Sequence, residues 1–329
     1  MMQRTMFCGL LGAALVAAGT SLQGQQGAQD GQWRYHGGDQ GYTRYSPLDQ
    51  INKDNVKNLR IAWRRPAVAS ELKTQYPTLK SGNMFHSTPI MVDGVLYTSN
   101  GIGLVEAFDP ATGKTLWVQD LPEQGKDALN GSSSKGVAYW RNGDDERILS
   151  VRPPYLLALD PKTGKLIPGF GDGGKVDLRI FEDSAEPVPY RWGSAPLIVR
   201  NVVVVGVSTL PRPSDVRAYD VRTGKRLWTF HVIPRKGEFG ADTWLNDSLT
   251  GVQAGDSAVW TMMSADEELG LVYLPTSAPT NEMYGGDRPG NNLFSSSIVC
   301  VRAETGERVW HFQTVHHDIW DYDNPAPPM

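Results

Sequence analysis

The sequence AFDPATGKTLW (107–117) recurs three times further along the chain, and this repeat predicts the fold. The later copies are ALDPKTGKLIP (158–168), AYDVRTGKRLW (218–228) and CVRAETGERVW (300–310). Thr-Gly between two apolar runs is typical of a β-hairpin, because glycine accepts the positive-φ position and nearby Asp and Thr side chains bond the backbone of the turn. The repeat therefore predicts four hairpins. Their turn glycines are Gly113, Gly164, Gly224 and Gly306.

A second hairpin precedes each of these four. The segments STPIMVDGVLY (87–97) and SAPLIVRNVVV (194–204) match almost position for position, and residues 137–151 and 261–275 are looser versions. Two hairpins per repeat give four antiparallel strands per unit. Repetition of such a unit predicts an all-β protein, a β-propeller, with about four blades in this chain.

Tryptophan marks the boundaries between the blades. Trp117, Trp228 and Trp310 follow the turn glycines, and we expect each to wedge between neighbouring blades. Pro168 takes this position in the second copy, so the packing there must differ. Residues 58–66 (NLRIAWRRP) indicate a lone strand ahead of the first blade, of the kind that closes a propeller ring.

The N-terminus is typical of an export signal. Arg4 precedes the apolar run MFCGLLGAALVAAG (6–19), which is shorter than the ~20 residues that a membrane span needs. We interpret residues 1–28 as a signal peptide and residues 29–329 as the mature propeller, with an uncleaved N-terminal anchor as the alternative. The predicted location is periplasmic or secreted, with no transmembrane domain beyond the signal segment.

The net charge argues against one class of partner, and the cysteine content argues against a disulfide. Lys and Arg number 32 against 36 Asp and Glu, for a net charge of −4, and the chain has no basic run. Nucleic acid is therefore not an expected partner. Once the signal peptide is removed, Cys300 is the single remaining cysteine, and it cannot form an intramolecular disulfide.

The repeat, the opening WRYHGGDQGYTRYSPLDQINKDNVKNLRIAW (33–63) and the close WHFQTVHHDIWDYDNPAP (310–327) together resemble the PQQ-dependent (quinoprotein) dehydrogenases, in the glucose dehydrogenase-like branch. The resemblance implies an eight-bladed propeller that holds pyrroloquinoline quinone and Ca²⁺ near its axis. This chain would be its N-terminal half, and we expect that half alone to be inactive. The implied activity is oxidation of a sugar or alcohol, with electrons passed to a respiratory acceptor such as a quinone or cytochrome c.

The resemblance also implies roles for particular residues. Asp318, which follows the histidine pair, matches the carboxylate that takes the substrate's proton and binds the metal; the alternative is an aspartate that only caps a turn. Trp260 matches the residue on which the quinone ring stacks, with a core tryptophan as the alternative. Lys135 matches a basic residue that faces a quinone carboxylate, and His86 matches a polar quinone contact, with an ordinary structural histidine as the alternative.

Two features of the sequence argue against a zinc site and against a complete set of calcium ligands. His316 and His317 are adjacent, so on an extended segment they point to opposite faces and cannot chelate zinc together. The residues that usually complete the calcium site in this family are also poorly matched. Ala278 stands nearest to the position of an expected Asn ligand, and Asp215 is displaced from the position of an expected Glu ligand. Asn281 could serve as a ligand only after a shift of its loop.

A different class of function stays open on the sequence alone. Non-catalytic propeller scaffolds, such as those that serve outer-membrane assembly, share the TGxxxW repeat. The segment HHDIWDYD (316–323) favours the enzyme over the scaffold.

Overall fold

Strands of the chain fold in consecutive groups of four, each group forming its own antiparallel sheet. The computed structural model describes residues 28, 30–79, 86–121, 135–181, 186–209, 214–246 and 256–329. The predicted signal peptide lies outside these described residues, apart from Ala28. The all-β, four-stranded blade predicted from the repeats is confirmed.

The first two blades have simple strand order. Blade 1 consists of β1 (Ile90–Val92), β2 (Val95–Ser99), β3 (Val105–Phe108) and β4 (Thr115–Val118). Blade 2 consists of β5 (Val137–Asn142), β6 (Asp145–Arg152), β7 (Tyr155–Leu159) and β8 (Lys175–Asp177).

The third blade carries one additional short strand. It consists of β9 (Tyr190–Gly193), β10 (Leu197–Val199), β11 (Val202–Thr209), β12 (Asp215–Asp220) and β13 (Arg226–His231). Both β9 and β10 pair with β11, so they form one inner strand interrupted at residues 194–196. Pro196, which lacks an N–H, lies in this interruption.

Blade 4 consists of β14 (Ser264–Asp266), β15 (Leu271–Pro275), β16 (Ser297–Arg302) and β17 (Arg308–Gln313). The helical elements in the described part of the chain are short: α1 (Ser70–Gln75) and 3₁₀ turns at Val56–Asn58 and Ala241–Thr243. No helix within the described ranges is long and apolar enough to span a membrane.

The first strands of successive blades contact one another in sequence: β1 meets β5, β5 meets β10, and β10 meets β14. Fully buried aliphatic side chains fill the spaces between the sheets, as expected for stacked blades. Cys300 is one of these buried residues, and its thiol is free. Burial raises the pKa of that thiol to about 11.

Trp117 and Trp228 form the wedges that the repeat predicts, whereas Trp310 is 42% exposed and its ring contacts Tyr273 of its own blade. The Trp117 ring packs on Gly164 of blade 2, and the Trp228 ring packs on Gly306 of blade 4. Each indole Nε1 donates to a carbonyl oxygen of the same turn, at 2.9 Å for Pro161 and 2.8 Å for Ala303. Each of these two wedges thus joins a pair of neighbouring blades, blades 1 and 2 or blades 3 and 4, by both packing and a hydrogen bond.

Blade 2 contacts blade 3 without a tryptophan wedge, because Pro168 stands at the tryptophan position of the repeat. The chain continues past Pro168 and returns to form β8, which pairs with β7 through residues 155–157. Gly171 and Val176 then occupy the space beside Gly224 that a tryptophan occupies elsewhere. The Gly171 N–H donates to the Thr223 carbonyl oxygen of blade 3 at 2.8 Å.

The lone strand predicted at residues 58–66 is wrong in its secondary structure, since this described segment contains no strand. It nevertheless supplies a wedge. Trp63 packs on Gly113 of blade 1, and its Nε1 donates to the Pro110 carbonyl at 2.8 Å. Arg65 pairs with the buried Glu106 at 3.1 Å and fixes the segment against β3.

Candidate functional site

The innermost strands of the blades begin close together at one end of the fold. Thr88, just ahead of β1, forms a parallel bridge with Gly136, just ahead of β5. This bridge places the His86–Thr88 segment beside Lys135. The His86 side chain itself is exposed.

Lys135 and Trp260 are in direct contact, although 125 residues separate them. The Lys135 Nζ donates a hydrogen bond to the Trp260 carbonyl oxygen and lies 4.9 Å from the centroid of the indole ring. Burial lowers the pKa of this ammonium to about 8, because desolvation disfavours the charged form. A cation with little hydration therefore lies against a partly exposed aromatic face.

The edge of the same indole is held by a carboxylate. Trp260 Nε1 donates to Asp323 Oδ2 at 2.8 Å, and the Ala278 N–H donates to Asp323 Oδ1 at 2.7 Å. Burial raises the pKa of Asp323, while these two hydrogen bonds act in the opposite direction. Asp323 thus connects the segment HHDIWDYD to the indole.

Asp318 is almost fully buried, with 1% of its surface exposed. Its Oδ2 accepts hydrogen bonds from Ser296 Oγ at 2.7 Å and from the Tyr322 N–H at 3.0 Å. Its Oδ1 accepts from the Trp320 N–H at 2.9 Å. The carboxylate therefore caps its own turn, and it is held in a single orientation by three donors.

A buried arginine stabilises the turn that contains Asp318. The Arg288 side chain has no exposed surface. Its guanidinium donates to the carbonyl oxygens of Thr280 and Asn281, each at 3.1 Å, to that of Asp318, and to Asn292 Oδ1 at 2.9 Å. Desolvation lowers the pKa of Arg288, and the charge of Asp318 opposes that shift. Arg288 therefore ties the loop after β15 to the Asp318 turn.

The histidine pair has separate surroundings. His317 Nδ1 lies 2.8 Å from the Gly290 carbonyl oxygen, and its ring packs against Gly285, whereas His316 is exposed. Among the residues that the structure describes, no three His, Cys, Asp or Glu side chains are placed to hold a metal ion. Asn281 is exposed, and its amide donates to Asp287 at 3.1 Å.

The structure thus brings Lys135 and Trp260 together and places Asp318 in a neighbouring buried turn. Two residues of this site were not predicted. Asp323, which accepts from the Ala278 N–H and from the Trp260 indole, was given no role in this site by the sequence. Arg288 was missed entirely, and its only signal is a lone arginine in the glycine-rich stretch YGGDRPG (284–290).

The four-stranded antiparallel sheets define the chain as a β-propeller, and Lys135 contacts the Trp260 indole just ahead of the first strands of blades 2 and 4. Residues 33–329 match the family described as PQQ: glucose/ethanol/alcohol dehydrogenase, beta-propeller domain. The chain belongs to this family.

Individual relatives agree with this assignment. The chain is 31% identical to quinoprotein glucose dehydrogenase A of Acinetobacter calcoaceticus, over 94% of this chain and 41% of that protein. It is 33% identical to the dehydrogenase subunit of an alcohol dehydrogenase (quinone) of Gluconacetobacter polyoxogenes, over 100% of this chain and 46% of that protein. The chain therefore spans less than half the length of these relatives.

A solved structure shows the same fold. The quinohemoprotein alcohol dehydrogenase of Comamonas testosteroni superimposes with a TM-score of 0.73 and 28% sequence identity, covering 90% of this chain and 43% of that one. The recognition of the family and of the propeller from the sequence is confirmed, with relatives of both the glucose and the alcohol types.

Proposed function

We propose that the protein is a PQQ-dependent dehydrogenase that oxidises the hydroxyl group of a sugar or an alcohol. The observation that carries this proposal is the contact of Lys135 with the carbonyl and ring of Trp260 at the axial end of the blades. In this proposal the electrons pass to a respiratory acceptor, and the protein acts in the periplasm or after secretion.

The residues present fit a planar, tricarboxylated quinone. A partly exposed indole offers a flat apolar face for stacking, and the ammonium of Lys135 offers charge to a carboxylate. The chemistry that the quinone supplies when bound is acceptance of a hydride. Lys135 and Trp260 bind and orient it, and His86, exposed beside Lys135, is a further proposed contact.

We propose Asp318 as the base that takes the hydroxyl proton of the substrate. Its three hydrogen bonds hold the carboxylate in place before substrate arrives, which removes a reorientation cost from the proton transfer. Two carboxylate oxygens offer about four acceptor positions, so three donors leave room for a substrate hydroxyl as a fourth.

The described residues fit calcium less well than they fit the quinone. Ca²⁺ takes about 6–8 oxygen ligands, and among the described residues Asp318 is accompanied by no group of acidic side chains arranged around a metal position. Asp318 as a metal ligand stays a prediction from the resemblance.

The test is Asp318→Asn in the complete protein. We expect turnover of sugars and alcohols to be abolished while quinone still binds, as measured by quenching of tryptophan fluorescence. Asp321→Asn is the matched control, since Asp321 lies exposed in the same loop and the change removes the same charge. Activity that survives in Asp318→Asn would contradict the assignment of the base. A wild-type protein that binds no quinone would contradict the proposed function and favour a scaffold.

A further inference from the structure

We infer that Asp323 is a positioning residue that fixes the plane of the Trp260 indole and thereby the seat of the quinone ring. The inference rests on the proposed function, because it assumes that Trp260 carries the quinone. It adds a residue that the resemblance did not assign, in a segment that also contains Asp318, the proposed base.

Both oxygens of Asp323 are committed. Oδ2 accepts from Trp260 Nε1 at 2.8 Å, and Oδ1 accepts from the Ala278 N–H at 2.7 Å. The backbone around Ala278 is itself anchored, because the Ser277 N–H donates to the Ala258 carbonyl at 3.0 Å. Asp323 therefore holds the indole relative to the body of blade 4.

The chain following Asp323 is clamped to the residue after the tryptophan. Thr261 Oγ1 donates to the Pro325 carbonyl oxygen at 2.8 Å. The pairs Trp260–Asp323 and Thr261–Pro325 thus join the same two segments at two adjacent points. The Thr261–Pro325 contact fixes the two segments relative to each other, so the Trp260–Asp323 contact determines the direction of the indole N–H edge.

Lys135 contacts the face of the same indole ring. Its Nζ lies 4.9 Å from the ring centroid, so a carboxylate at the N–H edge and an ammonium on the face both act on one indole. A carboxylate that accepts from an indole N–H increases the electron density of the ring. Such a ring attracts a cation and an electron-poor quinone more strongly. Asp323 would therefore set both the orientation of the stacking face and its electron density.

A purely structural link is the competing role for Asp323. In that role the carboxylate would only hold the loop at Ala278, and its loss would lower stability without acting through Trp260. A double-mutant cycle of Asp323→Asn with Trp260→Phe separates the two roles, because phenylalanine keeps an aromatic face but has no N–H.

The cycle is measured in the complete protein by equilibrium dialysis with pyrroloquinoline quinone. We expect Asp323→Asn to weaken quinone binding by roughly tenfold, since the change replaces one of the two accepting oxygens by an NH₂ donor and leaves one N–H group without its partner. In the Trp260→Phe background we expect less than about twofold further loss, because the amide oxygen can then turn to Ala278. Asp321→Asn is the matched control and should leave binding unchanged.

A spectroscopic measurement tests the contact without quinone. The Trp260 indole N–H band is isolated by difference ultraviolet resonance Raman spectra against Trp260→Phe. We expect it to shift toward a weaker hydrogen bond in Asp323→Asn and to stay in place in Asp321→Asn.

The outcomes separate the inference from the proposed function. Wild-type affinity in Asp323→Asn, an equal loss in both backgrounds, or an unmoved indole band would overturn the positioning role while the proposed function stands. Failure of the wild-type protein to bind quinone would instead overturn the proposed function, and the inference with it.

Discussion

Trp117 and Gly164 belong to different blades, yet the Trp117 ring lies so close to Gly164 that a Cβ atom on this glycine would overlap it. Gly164 also has φ of +71°, a conformation that side chains rarely adopt. The repeat therefore places glycine at this turn for two reasons: the left-handed backbone and the close approach of the indole. These reasons make separate contributions to stability.

Gly164→Ala should lower the free energy of unfolding by about 3 kcal/mol or more, as the sum of backbone strain and overpacking against Trp117. Gly143→Ala is the matched control, because Gly143 has φ of +63° but no atom within 4 Å of the position that a Cβ atom would take. The control should lose only the roughly 1–2 kcal/mol of backbone strain. Urea denaturation of both variants measures the difference, and equal losses would show that the wedge contributes nothing.

The fold could be predicted from the sequence because its signals are local. A turn such as that around Gly164 requires particular residues within a few positions, so the hairpins and the blades can be read directly. Pro168 predicted altered packing, but not that Gly171 and Val176 would fill the place of the missing ring. The residues at 58–66 were expected as a strand, whereas the segment contains no strand and contacts blade 1 through Trp63 and Arg65.

Arg288 offers a test of the loop that supports Asp318. Arg288→Met should destabilise the protein by roughly 3 kcal/mol, because it leaves the buried Asp318 carbonyl oxygen and the buried Asn292 without their donor. Arg288→Lys should recover little, since an ammonium cannot reproduce the planar fork. Arg302→Met is the control, because the exposed Arg302 side chain pairs with the exposed Glu307 at 3.6 Å. Thermal unfolding compares the three, and similar effects of Arg288→Met and Arg302→Met would contradict the role of Arg288.

The site was less predictable than the fold, because its contacts join distant loops. Lys135 and Trp260 were both assigned through the resemblance, but no spacing rule indicates that they touch. The contact of Asp323 with the indole was not predicted, because rules based on sequence spacing consider only neighbouring residues. Its partner Trp260 lies 63 positions away in the chain. The geometry of loops without regular secondary structure determines such pairs, and it depends on the tertiary packing.

The pKa of Lys135, lowered to about 8 by burial, predicts a pH dependence of quinone binding. Below pH 8 the amine is charged and attracts the carboxylates of the quinone, and above pH 8 it is neutral. Affinity measured by equilibrium dialysis should therefore fall as the pH rises from 7 to 9, by up to about tenfold per pH unit above the pKa. Lys135→Arg is the control, because arginine stays charged over this range and should remove the decline. A decline that persists in Lys135→Arg would assign it to another group.

Ser296 and Ser297 allow the proposed base to be tested without changing Asp318. Ser296 Oγ donates to Asp318 Oδ2 at 2.7 Å, whereas Ser297 Oγ donates to the Ser295 carbonyl oxygen at 2.9 Å. Both side chains are buried, so each change to alanine should lower the free energy of unfolding by a similar amount, about 1 kcal/mol.

Only Ser296→Ala releases the carboxylate from one of the donors that orient it. In the complete protein we expect kcat to fall about threefold to tenfold in Ser296→Ala, the kinetic equivalent of one hydrogen bond, with little change in KM. Ser297→Ala should retain the wild-type kcat. Steady-state kinetics on a sugar and on an alcohol, together with thermal unfolding, separate the two effects. If both variants lose kcat equally, the loss follows the stability of the loop, and orientation of Asp318 by Ser296 is not what limits proton transfer.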